Sequence, residues 1–331
     1  VTQLILEFLH RSGIPVLARL FPRKHLVVLN FHRVRDQPSP FHDGMIEITS
    51  RQFREHLIWL ARYVTFISER EIEKLEPGGR TKMMLTFDDG YRDSHGVIAP
   101  ILEELGIPAT FFVAPGMLDR RVLGAWDRIA YLVKKVPGKT FRFRNREFSL
   151  KGGTRHAYLE LGGMSQNSLP DQGDEFVAEL AEALGISPPS PEEQSPELLT
   201  WDQVRDLQRR GFSIGCHGFS HRVLSSLSLE EQEDEIVLAR NRLTAEGIEA
   251  KSFAYPFGTP DTYTWETRET ALQAGYQMLF SFSGQAPKIG KIDPSRIDRV
   301  AFKSTVAKYD FLVSFPGAHN LAQLFRDRRH E

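Results

Sequence analysis

Two adjacent carboxylates, Asp88 and Asp89, follow the short apolar run Met83–Phe87 in the segment Thr86-Phe-Asp-Asp-Gly90. Two histidines four positions apart, His217 and His221, follow a second run, Ser213–Cys216. Imidazoles at that spacing lie on one face of a helical turn and can reach one ion. With Asp89 they make a two-His, one-carboxylate set, which leaves open positions for water and substrate. A cation held by Asp89 would let Asp88 stay ionised beside it and act as a base. Each cluster also has an ordinary reading. Asp-Gly is a common turn pair, and eleven histidines make a chance pair easy to find. A third segment, Phe253-Ala-Tyr-Pro-Phe-Gly258, reads as a tight turn whose exposed backbone N–H groups can hold an oxyanion. A fourth, Asn30-Phe-His32, ends the apolar run Leu26–Phe31 and sets His32 where a catalytic group would sit.

All four clusters stand directly after strand-like runs, and the catalytic groups of parallel barrels sit at strand C-terminal ends. Leu26–Phe31, Met83–Phe87, Ala109–Ala114, Ser213–Cys216, Ser252–Tyr255 and Met278–Phe282 read as strands. Helical patterns alternate with them. Thr49 and Gln52 form a capping box before the face Phe53, Leu57, Leu60, and Val97–Leu105 runs to Gly106. Leu229–Glu246 is a charged amphipathic helix ending at Gly247. Strand and helix in alternation imply βα units on a parallel sheet. The expected fold is α/β: a distorted, incomplete (β/α) barrel of about seven parallel strands with an inserted elaboration at about 117–199. Inside that insertion, 140–143 and 147–150 read as a hairpin turning near Asn145, and 175–184 as a helix.

The chain has 331 residues, enough for a core that needs no covalent staples. Its 42 basic and 43 acidic side chains leave a net charge of −1, which argues against a nucleic-acid partner. One cysteine, Cys216, rules out an internal disulfide or a multi-cysteine zinc site. Residues 1–25 form an amphipathic segment in which Arg11, Arg19, Arg23 and Lys24 interleave with apolar positions. It can pack on the barrel at 26–331 or touch an anionic membrane peripherally. No secretory signal or membrane span is visible. The expectation is a cytoplasmic protein, with peripheral membrane contact through residues 1–25 as its variant.

Taken together, Thr86-Phe-Asp-Asp-Gly90, His217-Gly-Phe-Ser-His221 and Tyr255-Pro-Phe-Gly258 resemble the motifs of the polysaccharide deacetylases (NodB-like, carbohydrate esterase family 4). Leu199-Thr-Trp-Asp-Gln, leading through Gly211 to His217, resembles that family's approach to its second motif. The resemblance implies a metal-dependent hydrolase that removes N-acetyl groups from a polysaccharide or lipid-linked glycan and releases acetate. It implies Asp88 as base, Asp89, His217 and His221 as metal ligands, and the Phe257 N–H as oxyanion donor. Zinc is the default ion; cobalt or nickel suits the same ligands. His32 resembles the acid histidine of a permuted branch that includes poly-N-acetylglucosamine deacetylases. The expected partner is an N-acetylated glycan or glycolipid, such as a bacterial surface glycan, with Tyr255 and Trp126 as substrate contacts. Two departures stand out. Gly218 occupies a Ser/Thr position, so a supporting hydrogen bond should be missing. Ala254 occupies the place of an arginine that pairs with the base, and Arg296 is the expected replacement, with Asp298 orienting His32. Hydrolysis of a small amide, in a closed pocket, and a degenerate sugar-binding module are the alternatives.

Overall fold

A computed structural model describes residues 24–42, 47–166, 173–282 and 286–301. The reading of 1–25 as an amphipathic segment, packed on the barrel or touching a membrane, therefore lies almost wholly outside the described residues.

Seven positions of parallel strand curl into a nearly closed barrel. They are β1 (Leu26–Phe31), β5 (Thr81–Phe87), β6 (Thr110–Val113), β9 (Ser213–Cys216), β10 (Ser252–Ala254) and β11 (Met278–Ser281), with a final stretch at 297–301. That stretch is split into β12 (Ile297–Asp298), which pairs with β11, and β13 (Val300–Ala301), which pairs with β1. The two sheet edges thus meet across Arg299. The short β4 (Val64–Phe66) joins the start of β5, and β2 (Arg33–Val34) pairs with β3 (Glu47–Ile48) outside the barrel. The expected barrel is present, and its last position, unread in the sequence, is this split strand.

Alternation along the strands sorts side chains into two sets. Leu26, Val28, Met84, Phe112, Ala254, Met278, Phe280 and Ile297 form one buried cluster, the filling of the barrel. Val27, Leu29, Phe31, Leu85, Phe87, Phe111, Cys216 and Phe253 belong to a second cluster facing the surrounding helices. Among these helices, α1 (Ser50–Leu60) starts at the expected Thr49–Gln52 capping box and buries Phe53, Leu57 and Leu60. Gly215 is the small residue the filling needs. A Cβ there would stand 2.3 Å from the Phe112 ring and 2.7 Å from Ser252 Oγ.

The lower mouth of the barrel is closed by Glu69, which is buried. Its Oε2 accepts from Thr110 Oγ1 at 3.2 Å and Ser252 Oγ at 2.8 Å, both on the first residues of their strands. Burial raises its pKa above 4.5, against the lowering effect of these hydroxyls. A carboxyl whose pKa is raised on folding contributes stability at low pH and loses it as pH climbs from the unfolded value through the folded one. Glu69→Gln keeps an acceptor for both hydroxyls and carries no charge. It should therefore melt higher than the parent, by a margin that widens as pH rises above 4.5. Melting curves at pH 5 and pH 8 test this; a margin that shrinks toward pH 8 contradicts it.

Between β6 and β9 the chain makes a long excursion. It runs through α2 (Pro115–Arg120), α3 (Ala125–Lys135), the hairpin β7–β8 (Thr140–Phe143, Arg146–Ser149), α4 (Arg155–Gln166) and α5 (Gly173–Leu184). The hairpin turns at Arg144 and Asn145, both left-handed (φ 44° and 65°), as a two-residue turn requires. The excursion ends with α6 (Pro191–Gln194) and α7 (Trp201–Arg209), which leads into β9. After β9, α8 (Leu229–Ala245) packs against the barrel.

Candidate active site

Alternation carries Asp88 inward, in line with Met84 and Thr86. Asp89 would then point outward, but its φ of 73° turns the chain and brings both carboxylates to one centre. Both are about 2% exposed or less. His221 (φ 61°) and Phe257 (φ 60°) are also left-handed. Three non-glycine residues in that sparsely populated region converge at this end of the barrel, each at a cost of order 1–3 kcal/mol. Backbone strain is thus concentrated where side chains must be aimed.

Asp88 is gripped from two sides. Arg299 Nη1 donates to Oδ1 at 2.8 Å and Asn30 Nδ2 donates to Oδ2 at 3.1 Å. Asn30 is itself fixed by Thr86 Oγ1 at 2.6 Å and Arg299 Nη1 at 3.1 Å. Burial works to raise the Asp88 pKa, but Arg299, then His217 and His32, outweigh it, and the carboxyl is held below its usual range. Asp89 is likewise held below its usual range against its burial, first by His221.

Here the structure corrects the arginine expected at 296. Arg296 is exposed, whereas Arg299 is fully buried against Asp88. The reason is parity: Arg299 shares the inward face with Ile297, and Arg296 and Asp298 point the other way. Asp298 accepts a hydrogen bond from Ser281 Oγ at 2.6 Å. Tyr255 is corrected by the same rule. It lies one position beyond inward Ala254, so it faces the helices, 2% exposed and stacked on Tyr263 at 4.0 Å. Its ring stands behind the cleft instead of lining it.

His217 Nδ1 donates to the Ala254 carbonyl at 2.7 Å, which leaves Nε2 as the free lone pair. Burial pushes its pKa down to about 4 despite Asp88, so the ring is neutral, the form that binds a metal. Asp89 Oδ1 lies 3.5 Å from His217 Nε2 and 3.2 Å from His221 Nε2. The ligand atoms of this trio all fall within 4.8 Å of one another. A tetrahedral ion with ligands at about 2.1 Å separates them by about 3.4 Å. Asp89 Oδ1 is buried with no hydrogen-bond partner among the described residues. Two buried carboxylates face one guanidinium, so a negative charge is left over. The residues therefore fit a divalent cation in position, lone pairs and charge.

The loop 217–221 is held by a residue that sequence reading passed over. Glu235, on α8, accepts from the backbone N–H of Phe219 at 3.0 Å and of Ser220 at 2.9 Å, and from the Ser220 hydroxyl. Gly218 is left-handed (φ 70°), and a Cβ there would come within 3.1 Å of Pro256 Cγ and 3.3 Å of Glu235 Oε2. The support expected from a hydroxyl at 218 is supplied instead by Ser220 and Glu235.

His32 is half-buried and directly follows β1, close enough to both carboxylates for its charge to favour their ionised forms. The Phe257 N–H has no hydrogen-bond partner among the described residues. Its ring centroid is 4.8 Å from that of His221 and 5.8 Å from that of Trp126. Trp126 also lies against His221, at 4.5 Å. A cleft of about 170 Å³ opens here, lined by Trp126, His221 and Phe257 and, from the excursion, by Arg128, Gly162 and Asp174.

A parallel barrel with paired carboxylates and two imidazoles at its strand ends is suited to metal-assisted hydrolysis. The chain belongs to the polysaccharide deacetylase family, whose sequence model matches residues 76–279. It is accordingly an N-acetyl sugar deacetylase. Asp88, Asp89, His217 and His221 lie inside the matched span; His32 and Arg299 lie outside it. No curated protein matches the chain by sequence. Among solved structures, the chain is similar to the Streptococcus pyogenes deacetylase PplD, determined in complex with acetate. The identity is 15% and the TM-score 0.57, over 88% of this chain and 98% of that one. IcaB from Ammonifex degensii aligns at 17% identity and TM-score 0.54, again over 88% and 98%. The BpsB deacetylase domain from Bordetella bronchiseptica aligns at 16% and 0.51, over 85% and 97%. At such identities the likeness speaks for the fold.

Proposed function

We propose that this deacetylase is metal-dependent and acts on an N-acetylated glycan, a polysaccharide or its lipid-linked precursor, of the kind found on bacterial surfaces. The observation that carries the reading is the Asp89–His217–His221 trio beside an Asp88 kept ionised by Arg299. The three residues would hold zinc, or cobalt or nickel, and the ion when bound supplies Lewis acidity to the acetyl carbonyl and to a water. Asp88 takes the proton from the attacking water. The Phe257 N–H donates to the oxygen that gains charge as the carbonyl carbon becomes tetrahedral. His32, protonated, gives its proton to the departing nitrogen. The balance is one amide and one water consumed, one acetate and one protonated amine released, with the proton taken by Asp88 passed on so that His32 is protonated again. The basic amphipathic sequence before the barrel would suit a substrate carried on an anionic membrane.

The reading is tested by acetate release from a panel of N-acetylated oligosaccharides and lipid-linked sugars, using protein stripped of metal and then reloaded with zinc, cobalt or nickel. Full activity of the stripped protein would refute the metal dependence.

His32→Ala separates acid catalysis from packing. It should bind metal normally, lose roughly 10²-fold in kcat on an N-acetyl sugar, and lose far less on an aryl acetate, whose leaving group needs little protonation. Equal loss on both substrates means that the acid lies elsewhere.

A further inference from the structure

Behind the reaction centre, the residues next to its working groups meet one another. Arg33 follows His32, Tyr91 lies two positions after Asp89, and Asp127 follows Trp126. All three are buried, at 0%, 0% and 1% exposure. The Arg33 guanidinium lies 3.8 Å over the Tyr91 ring, donates to Glu197 Oε2 at 2.6 Å and faces Asp127 Oδ1 at 3.7 Å. The Tyr91 hydroxyl donates to Asp127 Oδ2 at 2.8 Å and accepts from Trp126 Nε1 at 3.0 Å. The polarity of this chain is fixed, because an indole N–H can only donate. Glu197 also takes Arg35 at 2.6 Å, and its carbonyl accepts from Arg92 N at 2.9 Å. Leu199 N donates to the Gly90 carbonyl at 2.9 Å. The long excursion is therefore pinned near its beginning, at Trp126-Asp127, and near its end, at 197–199. Both pins reach the strand ends that carry His32 and the two aspartates.

Such a network needs a reason beyond stability. Buried ion pairs are often matched or bettered by apolar residues of similar volume, and here Arg33 Nε and Nη2 and Asp127 Oδ1 find no hydrogen-bond partner among the described residues. A chain of directional bonds, such as the one from Trp126 through Tyr91 to Asp127, instead favours one geometry. What this one specifies is the orientation of the Trp126 indole, its ring against His221 and Phe257 at the cleft. We propose that Arg33, Tyr91 and Asp127 are positioning residues that set Trp126 as the wall on which the sugar docks, and so govern substrate binding and not the hydrolytic step. This inference rests on the deacetylase reading above.

A double-mutant cycle tests it. Tyr91→Phe deletes only the hydroxyl that links the indole to Asp127. For an N-acetylglucosamine oligomer, KM should rise roughly five- to tenfold while kcat stays within about twofold, the signature of a lost binding interaction. Trp126→Phe removes the N–H donor, and adding Tyr91→Phe to it should raise KM no further, since the bond is already gone. Metal per chain should be unchanged throughout. Additive KM increases, or a fall in kcat with KM constant, overturn the proposal. A second readout does not depend on turnover. The emission of Trp126, taken as wild type minus Trp126→Phe, should become easier to quench with acrylamide in Tyr91→Phe. A wild type inactive on every N-acetyl sugar would sink the deacetylase reading alone, whereas unchanged quenching of Trp126 would sink the positioning role.

Discussion

Asp88→Asn should stay folded and hold metal, yet lose roughly 10²-fold or more in kcat, the usual scale for a missing general base. The substitution is nearly isosteric. An amide oxygen can still accept from Arg299, whose Nη1 now lies 2.8 Å from Oδ1. The amide nitrogen then faces Asn30 Nδ2, at 3.1 Å from the present Oδ2, so one donor meets another unless Asn30 turns over. That local cost should appear in the melting temperature. The chemical cost is separate: no atom at position 88 can take a proton. Metal content by elemental analysis and kcat at saturating metal distinguish the two effects. Near-full turnover with metal saturated would rule Asp88 out as the base.

His217→Ala should lose the metal itself. The substitution removes one of three ligands and leaves the Ala254 carbonyl, now 2.7 Å from Nδ1, without its donor. Loss of a mere outer partner typically costs 10–100-fold in metal affinity, and loss of a ligand should exceed that. In wild type, added zinc should raise the melting temperature, because a ligand that binds only the folded state stabilises it. In the variant that rise should vanish, together with activity on N-acetyl sugars. A variant that still carries one metal per chain after dialysis would remove His217 from the ligand set.

The barrel and its four motif-bearing strand ends were legible because their apolar runs are short and stop abruptly at Asp, His, Asn or Pro. The seventh strand position was not. Ile297-Asp-Arg-Val-Ala301 mixes charge with apolar residues, so no continuous apolar run marks it as a strand. Parity would have helped: Leu26, Val28 and Asn30 share the inward face, and so do Ile297 and Arg299. Counting by twos from Ile297 selects Arg299 over Arg296, and counting from Ala254 turns Tyr255 outward. Glu235 was hidden differently, within Glu230-Glu-Gln-Glu-Asp-Glu235, where composition alone cannot choose. Its helical spacing from Gln232 and Ala239, both buried, was the available signal. The tie between Arg33, Tyr91 and Asp127 left no pattern, because it joins segments far apart in sequence. The two left-handed positions at His221 and Phe257 were equally invisible, since tertiary contacts impose them on residues that do not favour them.

The split strand at 297–301 gives the site a history in time. Asn30 and Arg299, which share the grip on Asp88, stand 269 positions apart. Ribosomal synthesis delivers the amino-terminal strands first, at about 5–20 residues per second. For some tens of seconds a nascent chain holds Asp88 and Asp89 without the guanidinium that lets them be buried, and β1 has one free edge. Pairings between such distant segments also form slowly, because loop closure must precede their reward. Until then the carboxylates have every reason to remain in water. Competence for chemistry therefore waits for closure of the barrel.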